Sequence, residues 1–250
     1  MEQYFVDQRI ENSQLILDDK EQYRHIITVL RHKVGDELYF VDNTRKLFQA
    51  KLVDIQPEKA IFEVVESKLS MTELPVDVTI ACSLSKKDKI EWITQKATEL
   101  GAVKIVFFRS RYSIMNWKNN VVDKKVSRLQ EIAKNAAQQS KRRVIPEVSY
   151  LSDLDQLNNV SNDLKLVAYE ESAKEGETSI LAQQLQKVGV NSIIGVFGPE
   201  GGFSNEEFQS LVDHGYQSIG LGPRILRAET APLYLLSVIS YNYELRMNEE

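Results

Sequence analysis

The feature that most constrains this chain is a pair of glycine and proline loops near its end, Gly198-Pro199-Glu200-Gly201-Gly202 and Gly220-Leu221-Gly222-Pro223-Arg224. Each follows a short apolar run that reads as a buried strand. Backbone without side chains approaches a small molecule closely, so two such loops at neighbouring strand ends predict a ligand gripped from both sides. The first loop follows Ile193 to Phe197 and leads into Ser204-Asn205-Glu206-Glu207, where Ser204 and Glu207 have capping-box spacing. The second leads through Ile225-Leu226-Arg227-Ala228-Glu229-Thr230-Ala231-Pro232 into an apolar run, Leu233 to Ile239, which predicts a buried helix with Pro232 in its first turn. Arg224, Arg227 and Glu229 therefore stand in irregular backbone between buried elements, where charge is costly unless it binds something or pairs. Neither loop has Gly-x-Gly-x-x-Gly spacing and no Gly-Lys-Ser/Thr loop occurs, which disfavours a dinucleotide or ATP site.

The rest of the chain reads as two domains. Over residues 1–70, Tyr4 to Val6, Gln14 to Leu17, Glu37 to Val41, Phe48 to Ile55 and Ile61 to Val65 read as short strands, interrupted by one helix over Lys20 to Leu30. A small β-barrel is the natural closure for such a segment. The pattern lapses from Ser67 to Pro75, which marks a linker. Over residues 76–250 strands and helices alternate: Val76 to Cys82, a helix over Asp88 to Leu100, Val103 to Phe108, a helix over Val122 to Ser140, Lys165 to Tyr169, a helix over Ser179 to Lys187, then Ser192 to Phe197. The fold class is thus α/β with a separate small β domain, its sheet mostly parallel and covered by helices. Tyr39, Phe40 and Phe48 could stack on bases, but strand alternation favours the core for them; Trp92 and Trp117 are open between the same two roles, with Trp92 on the apolar side of its helix.

Charge narrows the partner. The 250 residues carry a net charge of -5, yet Lys86 to Arg143 holds 15 Lys and Arg against 5 Asp and Glu, a local excess of 10 positive charges. Phosphate binding answers to local potential, so this asymmetry favours a polyanion over a merely solvated helix surface. Lys86, Lys87 and Lys89 gather at a helix start, against the helix dipole, which asks for a compensating anion. His25 reads equally as a barrel-edge residue or an RNA contact, and Arg31 is the better contact candidate. No apolar run has the length of a membrane span, and Met1-Glu2-Gln3-Tyr4 lacks a secretory pattern, so the expected location is the cytoplasm. Cys82 is the only cysteine and reads as a buried strand residue; His25, His32 and His214 do not form a metal-ligand set, so no metal is expected.

The two loops together, with Leu221-Gly222-Pro223-Arg224-Ile225-Leu226-Arg227-Ala228-Glu229-Thr230-Ala231 unbroken, resemble the paired signature of the ribosomal RNA small subunit methyltransferase E family, uridine-N3 methyltransferases of the SPOUT class. Upstream matches fall in the same order: His25 to Arg31, Lys86 to Lys89 with Glu91 and Lys96, Arg109-Ser110, and Gln138-Gln139-Ser140 with Arg142. Arg111-Tyr112-Ser113 departs from the pattern, and Arg111 is left unassigned. The resemblance spans nearly the whole chain. It implies an N-terminal PUA-like RNA-binding barrel and a C-terminal SPOUT domain with a deep trefoil knot. It also implies S-adenosylmethionine bound by Gly198, Pro199, Glu200, Gly201, Gly202, Leu221, Gly222, Ile225 and Leu226, and a homodimer paired across the cofactor sites. The implied substrate is 16S ribosomal RNA, within an assembled small subunit, methylated at N3 of a single uridine, 1498 in the usual rRNA numbering. His25, Arg31, Lys86, Lys89, Arg109, Arg142 and Arg224 are the implied RNA contacts.

Uridine N3 carries a proton at neutral pH and sits inside a Watson-Crick pair, so the base must be unpaired or flipped and the proton must leave. Arg227 is the candidate cation that stabilises the resulting anion. Glu229 either accepts the proton or orients Arg227, with the orienting role ranked first because arginine-carboxylate pairs are common beside buried loops. The alternative, a non-catalytic RNA-binding protein, accounts for the basic segment and leaves the glycine loops unexplained.

Overall fold

The computed structural model describes residues 1–11, 13–68, 72–169 and 178–246. Contacts divide the chain into two units, Met1–Thr72 with Gln138–Val144, and Glu73–Ala137 with Ile145–Glu250. Of the expected linker, residues 69–71 lie outside the described residues.

In the first unit, β1 (Gln3–Phe5), β2 (Gln14–Leu17), β3 (Glu37–Val41), β4 (Leu47–Gln56) and β5 (Lys59–Glu66) form one sheet in the order β1-β3-β4-β5-β2. β1 runs parallel to β3, and the other pairings are antiparallel. Burial alternates along the strands, and the inward residues, Leu15, Phe40, Leu52 and Phe62 among them, share one core. A sheet whose strands all turn one face to a common core must curl, and a register shift between Leu52 and Asp54 adds to the bend. The helix expected over Lys20 to Leu30 is α-helical only as α1 (Lys20–Tyr23), where the Asp19 carboxylate accepts from the Gln22 N–H at 2.8 Å. Arg24–Val29 continues in wider turns that bury Ile26 and set the His25 ring edge-on to Tyr4, centroids 6.0 Å apart.

Residues 138–144 join this unit through backbone acceptors. The Gln3 amide donates to the Arg142 carbonyl at 2.6 Å, the Thr72 hydroxyl to the Lys141 carbonyl at 2.8 Å, and the Lys141 ammonium to the Met1 carbonyl at 2.7 Å. One expected RNA contact is corrected here: Arg142 is only 2% exposed, and a buried guanidinium offers no donor to an outside phosphate.

In the second unit, β6 (Asp77–Ser83), β7 (Lys104–Phe108), β8 (Glu147–Leu151), β9 (Leu164–Ala168), β10 (Ser192–Phe197) and β11 (Gln217–Ile219) form a fully parallel sheet in the order β11-β9-β10-β6-β7-β8. The helices are α2 (Lys87–Glu99), α3 (Asn119–Gln139), α4 (Thr178–Leu185), α5 (Asn205–Asp213) and α6 (Ala231–Ser240). Parallel strands are buried on both faces, and β10 shows it: Ile193 and Phe197 enter one core with Leu235 and Leu236 of α6, while Ile194 and Val196 enter another with Leu211 of α5. α6 is the buried helix expected after the second loop, with Pro232 in its first turn. Trp92 corrects its expected placement, being 50% exposed with the Lys96 ammonium 5.2 Å over its ring.

Gly195 lets α6 lie against β10. A Cβ there would stand 2.4 Å from Leu235 Cδ2 and 3.2 Å from the Phe197 ring, inside a region with no free space. Gly195→Ala is therefore expected to lower the unfolding free energy by about 1–3 kcal/mol. Urea denaturation checks this, and an unchanged midpoint with unchanged slope would show that α6 does not seat on this glycine.

Candidate active site

Parallel strands all point their carboxyl ends to one edge of the sheet, and in open α/β sheets that edge is where ligands bind. The first glycine loop leaves β10 there, the second leaves β11, and β9 lies between them in the strand order. Neighbouring strands are about 4.8 Å apart, so the loops start roughly 10 Å from one another, a small molecule's width. They bound a cleft of about 950 Å³ together with Ala168 and Tyr169 at the end of β9. That volume is at the upper end of the usual range for small-molecule sites.

The first loop is closed on itself, with the Gly202 N–H donating to the Pro199 carbonyl at 2.9 Å and Gly202 at φ 74°. Its exit is fixed by the capping box of α5: the Ser204 hydroxyl accepts from the Glu207 N–H at 3.2 Å, and the Glu207 carboxylate accepts from the Ser204 N–H at 2.9 Å. The other Glu207 oxygen accepts from the Arg111 N–H at 2.7 Å, while the Arg111 guanidinium meets Glu206 at 3.0 Å. Arg111, unassigned in the sequence, thus ties the segment after β7 to the helix that follows the first loop. Tyr112 beside it comes against Gly201, where an added Cβ would meet Tyr112 Cβ at 3.4 Å. The turn holding Tyr112 is pinned by hydroxyl contacts, the buried contact of Ser83 with Ser110 at 3.0 Å and the half-buried contact of Ser83 with Ser113 at 2.7 Å.

The second loop turns at Gly222, which has φ 90°. Beyond it the Thr230 and Ala231 N–H groups both donate to the Arg227 carbonyl, at 2.8 and 3.0 Å, which turns the chain into α6. Leu221 and Leu226 are partly buried and line the cleft with Ile219 and Phe197, an apolar wall facing the backbone of the glycine loops. Ile225 also lines it but is 78% exposed.

Of the two expected catalytic residues, Arg227 lines the cleft and is exposed, and among the described residues its guanidinium makes no ion pair or hydrogen bond. Glu229 has a different partner from the expected one: it pairs with Lys89, Oε2 to Nζ at 3.0 Å, and not with Arg227. The same Lys89 ammonium donates to Glu200 Oε1 at 2.8 Å. The contact to Glu200 is a hydrogen bond; the contact to Glu229 is an ion pair without hydrogen-bond alignment. The hydrogen bond to Glu200 raises the Lys89 pKa, and the ammonium in turn lowers that of Glu200. Lys89 was expected to meet RNA, and this structure commits it to two carboxylates instead. Among the other expected RNA contacts, His25 and Arg31 are exposed in the first unit, and Lys86, Arg109 and Arg224 in the second.

The fold and cleft define a two-unit protein with a curled β unit and a parallel α/β unit that carries a ligand cleft at the carboxyl edge of its sheet, and comparison with known proteins says which family this is. An RNA methyltransferase domain family matches residues 72–240, and an RNA methyltransferase PUA domain family matches residues 17–65. The chain is 38% identical over 256 residues to the ribosomal RNA small subunit methyltransferase E of Bacillus subtilis, covering 100% of both. It is 30% identical to the protein of that name from Buchnera aphidicola of Acyrthosiphon pisum, over 88% of this chain and 85% of the relative. A crystal structure of a Neisseria gonorrhoeae ribosomal RNA small subunit methyltransferase E bound to S-adenosyl methionine superposes with a TM-score of 0.81 at 25% identity, covering 97% of this chain and 98% of that one. The chain belongs to the ribosomal RNA small subunit methyltransferase E family, with a PUA-like first domain and a SPOUT-type α/β second domain, and is an RNA methyltransferase.

The two loop glycines separate by conformation. Gly222→Ala forces a side chain into positive φ and is expected to cost about 1–2 kcal/mol, read by thermal unfolding. Gly201→Ala places its Cβ at ordinary contact distance from Tyr112 and is expected to cost under about 0.5 kcal/mol. Equal losses in the two variants would contradict this account of the loop.

Proposed function

We propose that the chain methylates N3 of a single uridine of 16S ribosomal RNA, uridine 1498 in the usual numbering, with S-adenosylmethionine as the methyl donor. The observation that carries this is the convergence of both glycine loops on one cleft whose wall presents Arg227, an arginine with no partner among the described residues. The donor fits on physical grounds: Gly202 and Gly222 take positive φ where a side chain would be strained, and the exposed peptide groups face an apolar wall suited to an adenine ring. Gly198, Pro199, Glu200, Gly201 and Gly202 would hold it from one side, and Leu221, Gly222, Ile225 and Leu226 from the other. When bound, S-adenosylmethionine supplies a methyl group on a positively charged sulfur.

The protein's own part is alignment and charge. Arg227 places a cation where the uridine ring becomes anionic as its N3 proton leaves to solvent water, which frees the N3 lone pair to take the methyl group. Among the described residues lining the cleft Glu200 is the one carboxylate, and its pKa is lowered by Lys89, which makes it a weak base. We therefore assign the larger contribution to stabilisation of the anion by Arg227, and less to a side-chain base. Glu229 holds the turn after Arg227 through Lys89. His25 and Arg31 of the PUA-like domain, Arg224 on the cleft wall, and Lys86 and Arg109 beyond the carboxyl ends of β6 and β7 are the RNA contacts in this reading. It also carries a homodimer, a trefoil knot, a cytoplasmic location and a substrate within the assembled small subunit. A non-catalytic RNA binder would leave the cleft without a purpose.

Arg227→Ala is expected to reduce methylation at least about 100-fold while S-adenosylmethionine affinity stays within about threefold. Unchanged activity would remove Arg227 from the mechanism. Mass spectrometry of 16S ribosomal RNA from cells lacking the protein is expected to show the loss of one 3-methyluridine, and its retention would refute the assigned product.

A further inference from the structure

We propose that Lys89 is a positioning residue that fastens the two glycine loops to each other, and that its contribution is to methyl-donor affinity and not to RNA binding. This rests on the reading of the cleft given above. Three strand ends supply the parts. Lys89 follows β6, Glu200 follows β10 and Glu229 stands beyond β11, so one ammonium reaches across the whole width of the site. Its contacts at 2.8 and 3.0 Å engage one carboxylate from each loop region.

The alternatives fit the geometry less well. A lysine serving RNA phosphates keeps its ammonium in solvent, as Lys86 does; the Lys89 side chain is 21% exposed, and its two partners are 33% and 19% exposed. Pairs at that depth are worth more than surface ion pairs, because they are screened less. The three groups together carry a net charge of about -1, which repels a phosphate and leaves the cations Arg224 and Arg227 on the cleft wall for the nucleic acid. Two loops that meet a ligand with their backbones need their spacing held before it arrives, since ordering them on binding would weaken affinity.

The test compares full-length wild type with Lys89→Met, Lys89→Arg, Glu200→Gln and Glu229→Gln, with circular dichroism confirming that each folds. S-adenosylmethionine affinity is read by calorimetry and RNA affinity with a fragment of 16S ribosomal RNA. Amide hydrogen exchange over residues 198–202 and 220–230 is read without any ligand. For Lys89→Met we expect a roughly tenfold rise in Kd for S-adenosylmethionine, RNA affinity within about twofold, and faster exchange in both loops at once. Lys89→Arg restores most of the affinity, and each glutamine variant gives a part of the loss. Weakened RNA binding with unchanged donor affinity would return Lys89 to the phosphate-contact role and overturn the proposal, as would unchanged exchange in Lys89→Met. If wild type itself binds no S-adenosylmethionine, the methyl-donor reading fails, and the ligand-free exchange still decides whether Lys89 holds the loops.

Discussion

The site depends on one constraint, the parallel pairing of β10 between β6 and β9, with β11 added beyond β9. Parallel pairing sends every strand's carboxyl end to the same edge, so loops far apart in sequence emerge side by side. Gly195 in the middle of β10 leaves the space that the Leu235 side chain of α6 fills against the sheet. Because α6 starts at Ala231, two residues after Glu229, the seating of that helix also fixes where the second loop ends. Packing energy in the core thus becomes the placement of Arg227 at the cleft wall.

Electrostatics complete what packing begins. The acidic chain concentrates its basic charge over Lys86 to Arg143, yet the structure divides that charge among different tasks. Lys89 pairs with two carboxylates, Arg111 fastens α5, Arg128 pairs with Glu91 at 2.6 Å, and Arg142 is buried. Lys86 and Arg109 remain exposed, as do Arg224 and Arg227 on the loops. A run of positive charge in the sequence is therefore a poor count of phosphate contacts.

What was legible was whatever leaves a local trace. Apolar runs located β6, β7, β9 and β10, the Ser204-Glu207 spacing located the start of α5, and Pro232 located the start of α6. β8 escaped notice because its only fully buried residue is Val148, so no alternation marks it. The return of residues 138–144 to the first domain was invisible for a different reason. It is fastened through the carbonyls of Lys141 and Arg142, and a backbone acceptor has no signature in residue types. The partner of Glu229 has no local trace: the frequency of arginine-carboxylate pairs beside buried loops points to Arg227, whereas the fold brings Lys89 across from another strand end. Tyr169, at the cleft through the end of β9, could have been found from the apolar run that precedes it.

The central claim is that both glycine loops clasp one ligand at the same time. Amide NMR during a titration with S-adenosylmethionine tests it most directly. The account predicts that the amide resonances of Gly198, Gly201 and Gly202 and those of Leu221, Gly222 and Leu226 shift together along one saturating curve. Shifts confined to one loop, or two curves with different midpoints, would contradict it.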